Sequence, residues 1–284
     1  MEVKTVGVYG AGFMGRGIAQ VALEGGYDVV LYNHRTPTLE KGVAGIQKNF
    51  AKKVAKGKIT QEQADQWLGR MKATTTLEDL KDVDIVFEAM VENMELKKEA
   101  FAKMAPVIQP NAIFVSNTSS LSITELAAAS QRPEKFLGMH FFNPVPAMKL
   151  VEVIAGGNTP ADLVDYIKNL SVEIGKTPVV VNEAPGFVVN KILIPYCNEG
   201  VCVLQEGVAS AEDIDIAMQL GCNHPMGPLH LGDLIGWDVV LNIMDVLFNE
   251  THDSKYRANV LIRKMVRAGK LGIKSGEGFF NYNK

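Results

Sequence analysis

The segment at positions 5–32 constrains the fold more than any other part of the chain. A β-type run at Thr5–Tyr9 is followed by the loop Gly10-Ala11-Gly12-Phe13-Met14-Gly15, a helical pattern over Gly15–Glu24 and a second β-type run at Asp28–Tyr32. The Gly-x-Gly-x-x-Gly pattern alone is weak. Between a strand and a helix, its glycines allow a tight turn, close approach of a pyrophosphate and helix–strand packing. The segment therefore predicts a dinucleotide-binding Rossmann fold, with phosphates at the helix N-terminus.

The sequence up to about residue 184 continues this alternation of short β-type runs and helical patterns, which is typical of parallel βαβ units. Further strands are predicted at Asp84–Ala89, Ala112–Ser116, Lys135–His140, Leu150–Ile154 and Thr177–Val181. Further helices are predicted at Leu39–Lys56, Thr60–Met71, Met94–Val107, Ile123–Ala129 and Ala161–Ile174. The stretch 39–71 exceeds an ordinary crossover, so we expect an inserted helical hairpin whose second helix is capped by Thr60.

Beyond Val188 the sequence holds helical runs and no convincing strand. We therefore predict two domains, an α/β Rossmann-type domain over residues 1–184 and an all-α domain over residues 185–284. The second domain has long apolar helix faces at Ile192–Leu204 and Val239–Phe248. Such faces suit either a core or a subunit interface, and the sequence leaves both possibilities open.

Composition limits the partners. The formal net charge of the 284 residues is −3, which gives no general attraction to nucleic acid or to anionic membranes. Apolar stretches such as Asp84–Met90 are far shorter than the roughly 20 residues of a membrane span. The amino-terminal residues lead straight into a strand pattern, without the apolar region of a signal peptide. Cys197, Cys202 and Cys222 form no Cys-x-x-Cys and have no clustered histidines, which predicts reduced thiols in a cytoplasmic protein and no metal site.

The end of the second strand bears on the choice of dinucleotide. NAD-binding Rossmann sites usually place Asp or Glu here to accept a hydrogen bond from the ribose 2′-hydroxyl. This chain has Asn33, followed by Arg35, whose guanidinium suits a 2′-phosphate. The alternative is that Asn33 still binds the 2′-hydroxyl while Arg35 points to solvent. The pattern favours NADP(H) over NAD(H).

Three polar positions in the first 184 residues suggest catalysis. His140 lies near the end of one predicted strand and Glu152 within the next, and the intervening loop could bring them together. An imidazole oriented by a carboxylate suits proton transfer to or from an alcohol. Ser119 follows a strand in the run Ser116–Leu121, where polar residues face the crevice of a parallel sheet, although a serine there could also cap the next helix.

Asn190 begins a helix just beyond the predicted boundary and could donate to a substrate carbonyl. By itself it could equally be a surface residue of that helix. The lysine-rich helix at 39–56 could similarly be no more than a solvated basic face.

Several ordered motifs, spread nearly end to end, make the chain resemble the short-chain L-3-hydroxyacyl-CoA dehydrogenases, most closely the bacterial 3-hydroxybutyryl-CoA dehydrogenases. The motifs are Gly10–Gly15, Glu88-Ala89 with Glu92-Asn93, Ser116–Leu121, His140–Pro144, Pro185–Asn190, His224–Pro228 and Ser275–Phe279.

The resemblance implies that His140 is the catalytic acid–base and that Glu152 orients it. It implies that Ser119 and Asn190 position and polarise the 3-oxygen of the substrate. Further cofactor contacts are implied at Glu92, Lys97, Asn117, Asn143 and Lys274.

The resemblance also implies a substrate and an assembly. Hydride would pass between the cofactor and C3 of 3-hydroxybutyryl-CoA or acetoacetyl-CoA, with CoA contacts at Lys52 and Lys56. Family members are homodimers through the C-terminal domain. Two alternatives are a gulonate-type sugar-acid dehydrogenase of the same fold and a non-catalytic dinucleotide-binding protein.

Overall fold

The computed structural model describes residues 2–283. The chain divides into two compact units, Met1–Ala184 and Pro185–Lys284. The strands are β1 (Thr5–Tyr9), β2 (Asp28–Tyr32), β3 (Met71–Thr74), β4 (Ile85–Glu88), β5 (Ile113–Ser116), β6 (Phe136–Phe141), β7 (Leu150–Ala155) and β8 (Thr177–Asn182).

The first unit also contains helices α1 (Phe13–Glu24), α2 (Thr36–Ala55), α3 (Gln61–Gly69), α4 (Met94–Met104), α5 (Ile123–Ala129) and α6 (Ala161–Glu173). The second unit contains α7 (Val189–Gln205), α8 (Ala211–Cys222), α9 (Pro228–Ile235), α10 (Trp237–Thr251) and α11 (Val260–Arg267). Within the described chain, no helix is both long enough and apolar enough to cross a membrane.

The sheet of the first unit has the strand order β3-β2-β1-β4-β5-β6-β7-β8. Neighbouring strands run parallel except for the antiparallel pair β6–β7. Every residue of β4, β5 and β6 is buried, as expected for central strands with helices on both faces. Because parallel strands end at the same edge, the last residues of β1, β2, β4 and β5 lie side by side there.

The structure confirms the predicted α/β domain with its helical insertion, followed by the helical region. Every predicted strand and first-unit helix lies within three residues of its observed ends. Thr60 caps α3 in a capping box, since its hydroxyl accepts from the Gln63 N–H and the Gln63 side chain accepts from the Thr60 N–H.

Two sequence predictions about the sheet need correction. The predicted helix Thr60–Met71 ran too far, because Met71 begins the unpredicted strand β3. This strand is short, half polar and at the sheet edge, so its sequence lacks the apolar run of a central strand. The pair β6–β7 is also not a parallel unit, because the loop between the two strands contains no crossover helix and the chain simply turns back.

The second unit packs around Trp237, which is fully buried, and its C-terminal segment is held by Asp233. The Asp233 carboxylate is also fully buried and accepts from Trp237 Nε1 at 2.5 Å. It further accepts from the backbone N–H groups of Phe279 and Phe280 and from the Tyr282 hydroxyl, each at 3.0 Å. One carboxylate of α9 therefore organises the last residues of the chain.

We expect Asp233→Ala to lower the free energy of unfolding by about 2–4 kcal/mol, because it leaves buried donors without an acceptor. Urea unfolding followed by circular dichroism measures this loss. Glu250→Gln, an exposed change on α10, is the matched control and should alter stability by less than about 0.5 kcal/mol. A wild-type midpoint for the Asp233 variant would contradict the anchoring role.

Candidate active site

The glycines of the loop after β1 have different reasons for being glycine. Gly10 has φ +115°, and a Cβ there would lie 2.5 Å from the Ala89 carbonyl oxygen. A Cβ on Gly15 would lie 1.8 Å from the Gly10 carbonyl oxygen, so the fold itself requires both residues. A Cβ on Gly12 would have nothing within 4 Å. Its small size is thus explained by a ligand approaching the backbone, and the loop fits the pyrophosphate of a dinucleotide.

A pocket of about 570 Å³ opens beside this loop. Its lining includes Gly10, Gly12, Phe13, Met14, Asn33 and Arg35. The lining residues that sequence reasoning missed include Tyr9 and Tyr32, which end β1 and β2 with ring centroids 4.7 Å apart. Burial, together with the neighbouring Tyr32 and Glu88, raises the pKa of Tyr9 to about 12. The Tyr9 hydroxyl therefore remains neutral over the physiological pH range.

Asn33 directly follows β2, and its side chain forms hydrogen bonds to the glycine loop and to the residue that precedes α2. Its Oδ1 accepts from the Ala11 N–H at 3.3 Å, and its Nδ2 donates to the Arg35 carbonyl at 3.0 Å. An aspartate here would face that carbonyl with an oxygen in place of a donor. None of residues 33–39 is acidic, while His34 and Arg35 are exposed at the start of α2. The rim of the pocket is therefore compatible with an additional phosphate.

His140 and Glu152 lie directly opposite each other in the antiparallel β6–β7 register. The distance from His140 Nδ1 to Glu152 Oε2 is 2.8 Å, and the two residues are 7% and 1% exposed. An ionised carboxylate only accepts hydrogen bonds, so with Glu152 ionised this contact assigns a proton to Nδ1. The geometry is that of an imidazole whose tautomer is fixed by a carboxylate.

Ser119 is fixed by a carboxylate from a different loop. Glu92 Oε1 accepts from the Ser119 N–H at 2.7 Å, the Ser119 hydroxyl at 2.9 Å and the Thr118 hydroxyl at 2.6 Å. Burial pushes the pKa of Glu92 upward, but the Lys97 ammonium and these hydrogen bonds outweigh burial and hold it below its usual value. The helix-capping role considered for this serine run belongs to Ser122, which caps α5.

Lys97 and Glu88 form a fully buried ion pair next to Glu92. Lys97 Nζ lies 2.6 Å from Glu88 Oε1 and 3.5 Å from Glu92 Oε2, and the side chains of Lys97 and Glu88 are 0% exposed. Glu88 Oε2 accepts from the Ser116 hydroxyl at 2.6 Å, and Oε1 accepts from the Met90 N–H at 2.7 Å. Sequence reasoning noted Glu88 only within a motif, although an acid that ends an apolar strand signals a buried partner.

Two predicted asparagines lie near the end of β6, the strand that carries His140. Asn117 Oδ1 accepts from the Phe141 N–H at 2.9 Å, which ties the end of β5 to the end of β6. Asn143 is exposed in the loop after β6, two residues beyond Phe141. Lys176 holds that loop by donating to the carbonyls of Met148, at 2.8 Å, and Val145.

The remaining predicted residues lie at the end of α2 and in the second unit. Lys52 and Lys56 are exposed at the end of α2, whereas Lys53 between them pairs with Glu24 at 2.5 Å. Asn190 is buried on the first turn of α7 in the second unit. Lys274, also in the second unit, forms an ion pair with Asp238.

Comparisons with known proteins identify the family of the chain. Residues 5–184 match the model of the 3-hydroxyacyl-CoA dehydrogenase NAD binding domain, and residues 186–282 match that of the 3-hydroxyacyl-CoA dehydrogenase C-terminal domain. The chain is 52% identical over 277 residues to 3-hydroxybutyryl-CoA dehydrogenase of Clostridioides difficile, covering 98% of this chain and 99% of the relative.

More distant relatives and solved structures extend the similarity. The mitochondrial hydroxyacyl-coenzyme A dehydrogenase of Sus scrofa is 41% identical, with 99% of this chain and 91% of the relative covered. The crystal structure of (S)-3-hydroxybutyryl-CoA dehydrogenase from Ralstonia eutropha superposes with a TM-score of 0.97 at 47% identity, covering all of both chains. With both family models matched along nearly its full length, the chain belongs to the 3-hydroxyacyl-CoA dehydrogenases, a family of oxidoreductases.

Proposed function

We propose that this enzyme interconverts 3-hydroxybutyryl-CoA and acetoacetyl-CoA, with reversible hydride transfer to and from a nicotinamide dinucleotide. The observation that carries the proposal is the buried His140–Glu152 pair, which lies in the same unit as the glycine-loop pocket. The printed names of the relatives supply the substrate class.

Each group in the proposed reaction has a stated task. A nicotinamide dinucleotide bound beside the glycine loop would supply the hydride acceptor for oxidation at C3 and the hydride donor for reduction. During oxidation His140 Nε2 takes the proton of the 3-hydroxyl group, and the Glu152 carboxylate stabilises the resulting imidazolium through Nδ1. During reduction the same nitrogen returns the proton to the 3-oxygen. Ser119, which its N–H holds on Glu92, would orient that oxygen by turning its hydroxyl from Glu92 to the substrate, and Asn190 is proposed to orient it as well.

We expect His140→Gln to lower kcat by roughly 10²–10⁴-fold, because an amide cannot take up or release the proton of the 3-hydroxyl group. The assay is acetoacetyl-CoA reduction, and cofactor titration by fluorescence should give an unchanged Kd. The control is His252→Asn, which alters an exposed histidine whose left-handed conformation asparagine tolerates. A His140 variant with wild-type turnover would refute the assigned role.

Reduction of acetoacetyl-CoA with no activity on gulonate would exclude the sugar-acid alternative.

For the cofactor we propose a preference for NADP(H) over NAD(H). Its support is the neutral amide of Asn33, the exposed Arg35 and the absence of acids at 33–39. Arg35 is the N-cap residue of α2, so its guanidinium and the positive end of the helix would both attract a 2′-phosphate. The remaining cofactor contacts proposed are Glu92, Lys97, Asn117, Asn143 and Lys274.

The wild-type enzyme should show a higher kcat/KM with NADPH than with NADH when acetoacetyl-CoA is reduced. Arg35→Gln should lower kcat/KM for NADPH by roughly 10- to 100-fold, because a charge-assisted hydrogen bond to the 2′-phosphate is lost. The kcat/KM for NADH should change little. Lys41→Gln, an exposed cation further along α2, is the control and should leave the ratio between the cofactors unchanged. A clear NADH preference of the wild type would end the NADP(H) proposal.

We also propose that Lys52 and Lys56 bind the phosphates of CoA, since both ammonium groups are exposed at one end of α2. Reversing both charges to Glu should raise KM for acetoacetyl-CoA about tenfold through lost phosphate attraction. KM for acetoacetyl-pantetheine, which lacks the nucleotide, should not change. Lys168→Glu on α6 is the control, and an equal rise for both thioesters would contradict CoA contact.

The apolar surface of the second unit supports a homodimer formed through that unit. Leu220, Val208 and Ile192 are 82%, 69% and 68% exposed there, which is unusual for large aliphatic side chains. Sedimentation velocity would reveal a monomer if the proposal were wrong. A cytoplasmic location stays a prediction from the cysteine pattern.

A further inference from the structure

A chain of hydrogen bonds and ion pairs connects the end of β5 to Ser119. It runs from Ser116 through Glu88 and Lys97 to Glu92, and ends at the Ser119 hydroxyl. We call this set the carboxylate relay. Ser116 and Glu88 end the neighbouring strands β5 and β4, whereas Lys97 lies on α4. The relay therefore couples three elements at the carboxyl edge of the sheet.

Glu88 acts only within the protein. Its two oxygens accept from Lys97 Nζ, the Met90 N–H and the Ser116 hydroxyl, and its side chain is 0% exposed. Both oxygens of Glu88 are therefore occupied by donors of the protein itself. Its charge holds the ammonium of Lys97, which is buried to the same extent. Without Glu88, that ammonium would keep Glu92, at 3.5 Å, as its remaining carboxylate neighbour in the relay.

Glu92 in turn contributes to the position of Ser119 through two hydrogen bonds. One oxygen of Glu92 faces Lys97, while the other accepts from both the N–H and the hydroxyl of Ser119. A shift of Lys97 toward Glu92 would shorten a 3.5 Å contact and move the oxygen on which Ser119 depends. Lys97 would make this shift because its fully buried ammonium would otherwise lack a carboxylate partner in the relay, and an unpaired buried charge is costly.

We propose that Glu88 is a positioning residue, which by holding Lys97 away from Glu92 keeps the Ser119 hydroxyl in place for the 3-oxygen of the substrate. The inference rests on the proposed function of Ser119, and it adds a residue that touches neither substrate nor cofactor. The backbone of Glu88 accepts from the Asn117 N–H at 2.9 Å, a contact that side-chain substitution leaves in place. The His140–Glu152 pair should therefore keep its geometry in a Glu88 variant.

The test is a double-mutant cycle on kcat for acetoacetyl-CoA reduction, with Glu88→Gln and Ser119→Ala. If Glu88 acts through Ser119, the Glu88 change should lower kcat about tenfold in the wild type and by less than about twofold in the Ser119→Ala background. The pH dependence of kcat should keep its shape, since His140 is unaffected. Equal effects of Glu88→Gln in both backgrounds would overturn the proposal, because the fold-changes in kcat of two independent substitutions multiply.

The matched control is Glu183→Gln. Glu183 is a carboxylate of the same unit that accepts from the Ser122 hydroxyl at 2.6 Å, the Thr124 N–H at 3.0 Å and the Thr124 hydroxyl, outside the relay. Its effect, whatever its size, should multiply with that of Ser119→Ala. Glu88→Asp keeps the charge with a shorter reach, so it should fold and show an intermediate kcat if Glu88→Gln proves unstable in thermal melts.

A second cycle separates failure of this inference from failure of the proposed function. NADPH titration, which needs no turnover, gives Kd for Glu88→Gln, Lys97→Met and the double variant. Non-additive losses support control of Lys97 by Glu88 even if acetoacetyl-CoA is not a substrate. Additive losses overturn that control, and with it the effect on Ser119.

Discussion

The parallel register of the central sheet is the constraint on which the rest of the first unit depends. Because β1 pairs with β2 and β4, and β4 pairs with β5, the residues Tyr9, Tyr32, Glu88 and Ser116 all end their strands at one edge. A slip of one residue in any of these strands would turn that strand's own side chain to the opposite face. The glycine loop, the pocket and the carboxylate relay all begin from this edge.

The antiparallel pairing of β6 with β7 positions the imidazole of His140 against the carboxylate of Glu152. In an antiparallel pair, residues directly opposite each other have neighbouring side chains on one face of the sheet. His140 and Glu152 occupy such a position, so backbone hydrogen bonds bring the imidazole to the carboxylate. Their burial removes competing water, which strengthens the contact and preserves one tautomer.

A cluster of three charges, of which Glu88 and Lys97 are fully buried, supports this site. Glu88, Lys97 and Glu92 together place two carboxylates around one ammonium, and hydroxyl and N–H groups complete their hydrogen bonding. Such a cluster is tolerated because its charges have partners, and it resists change because removing one partner leaves another unpaired. It supports Ser119 with the same logic by which Glu152 supports His140: a carboxylate fixes the group that is proposed to meet the substrate.

The sequence by itself determined the two-part architecture, the glycine loop and the positions of most strands along the chain, because periodicity and glycine spacing are local signals. It also indicated His140, Glu152 and Ser119, since polar residues inside apolar strands or after them are conspicuous. Only the tertiary structure decided that Asn33 bonds both to the loop and to Arg35, that Glu88 joins Lys97, and that β3 completes the sheet edge. Those features depend on contacts between distant segments, whose partners no local pattern specifies.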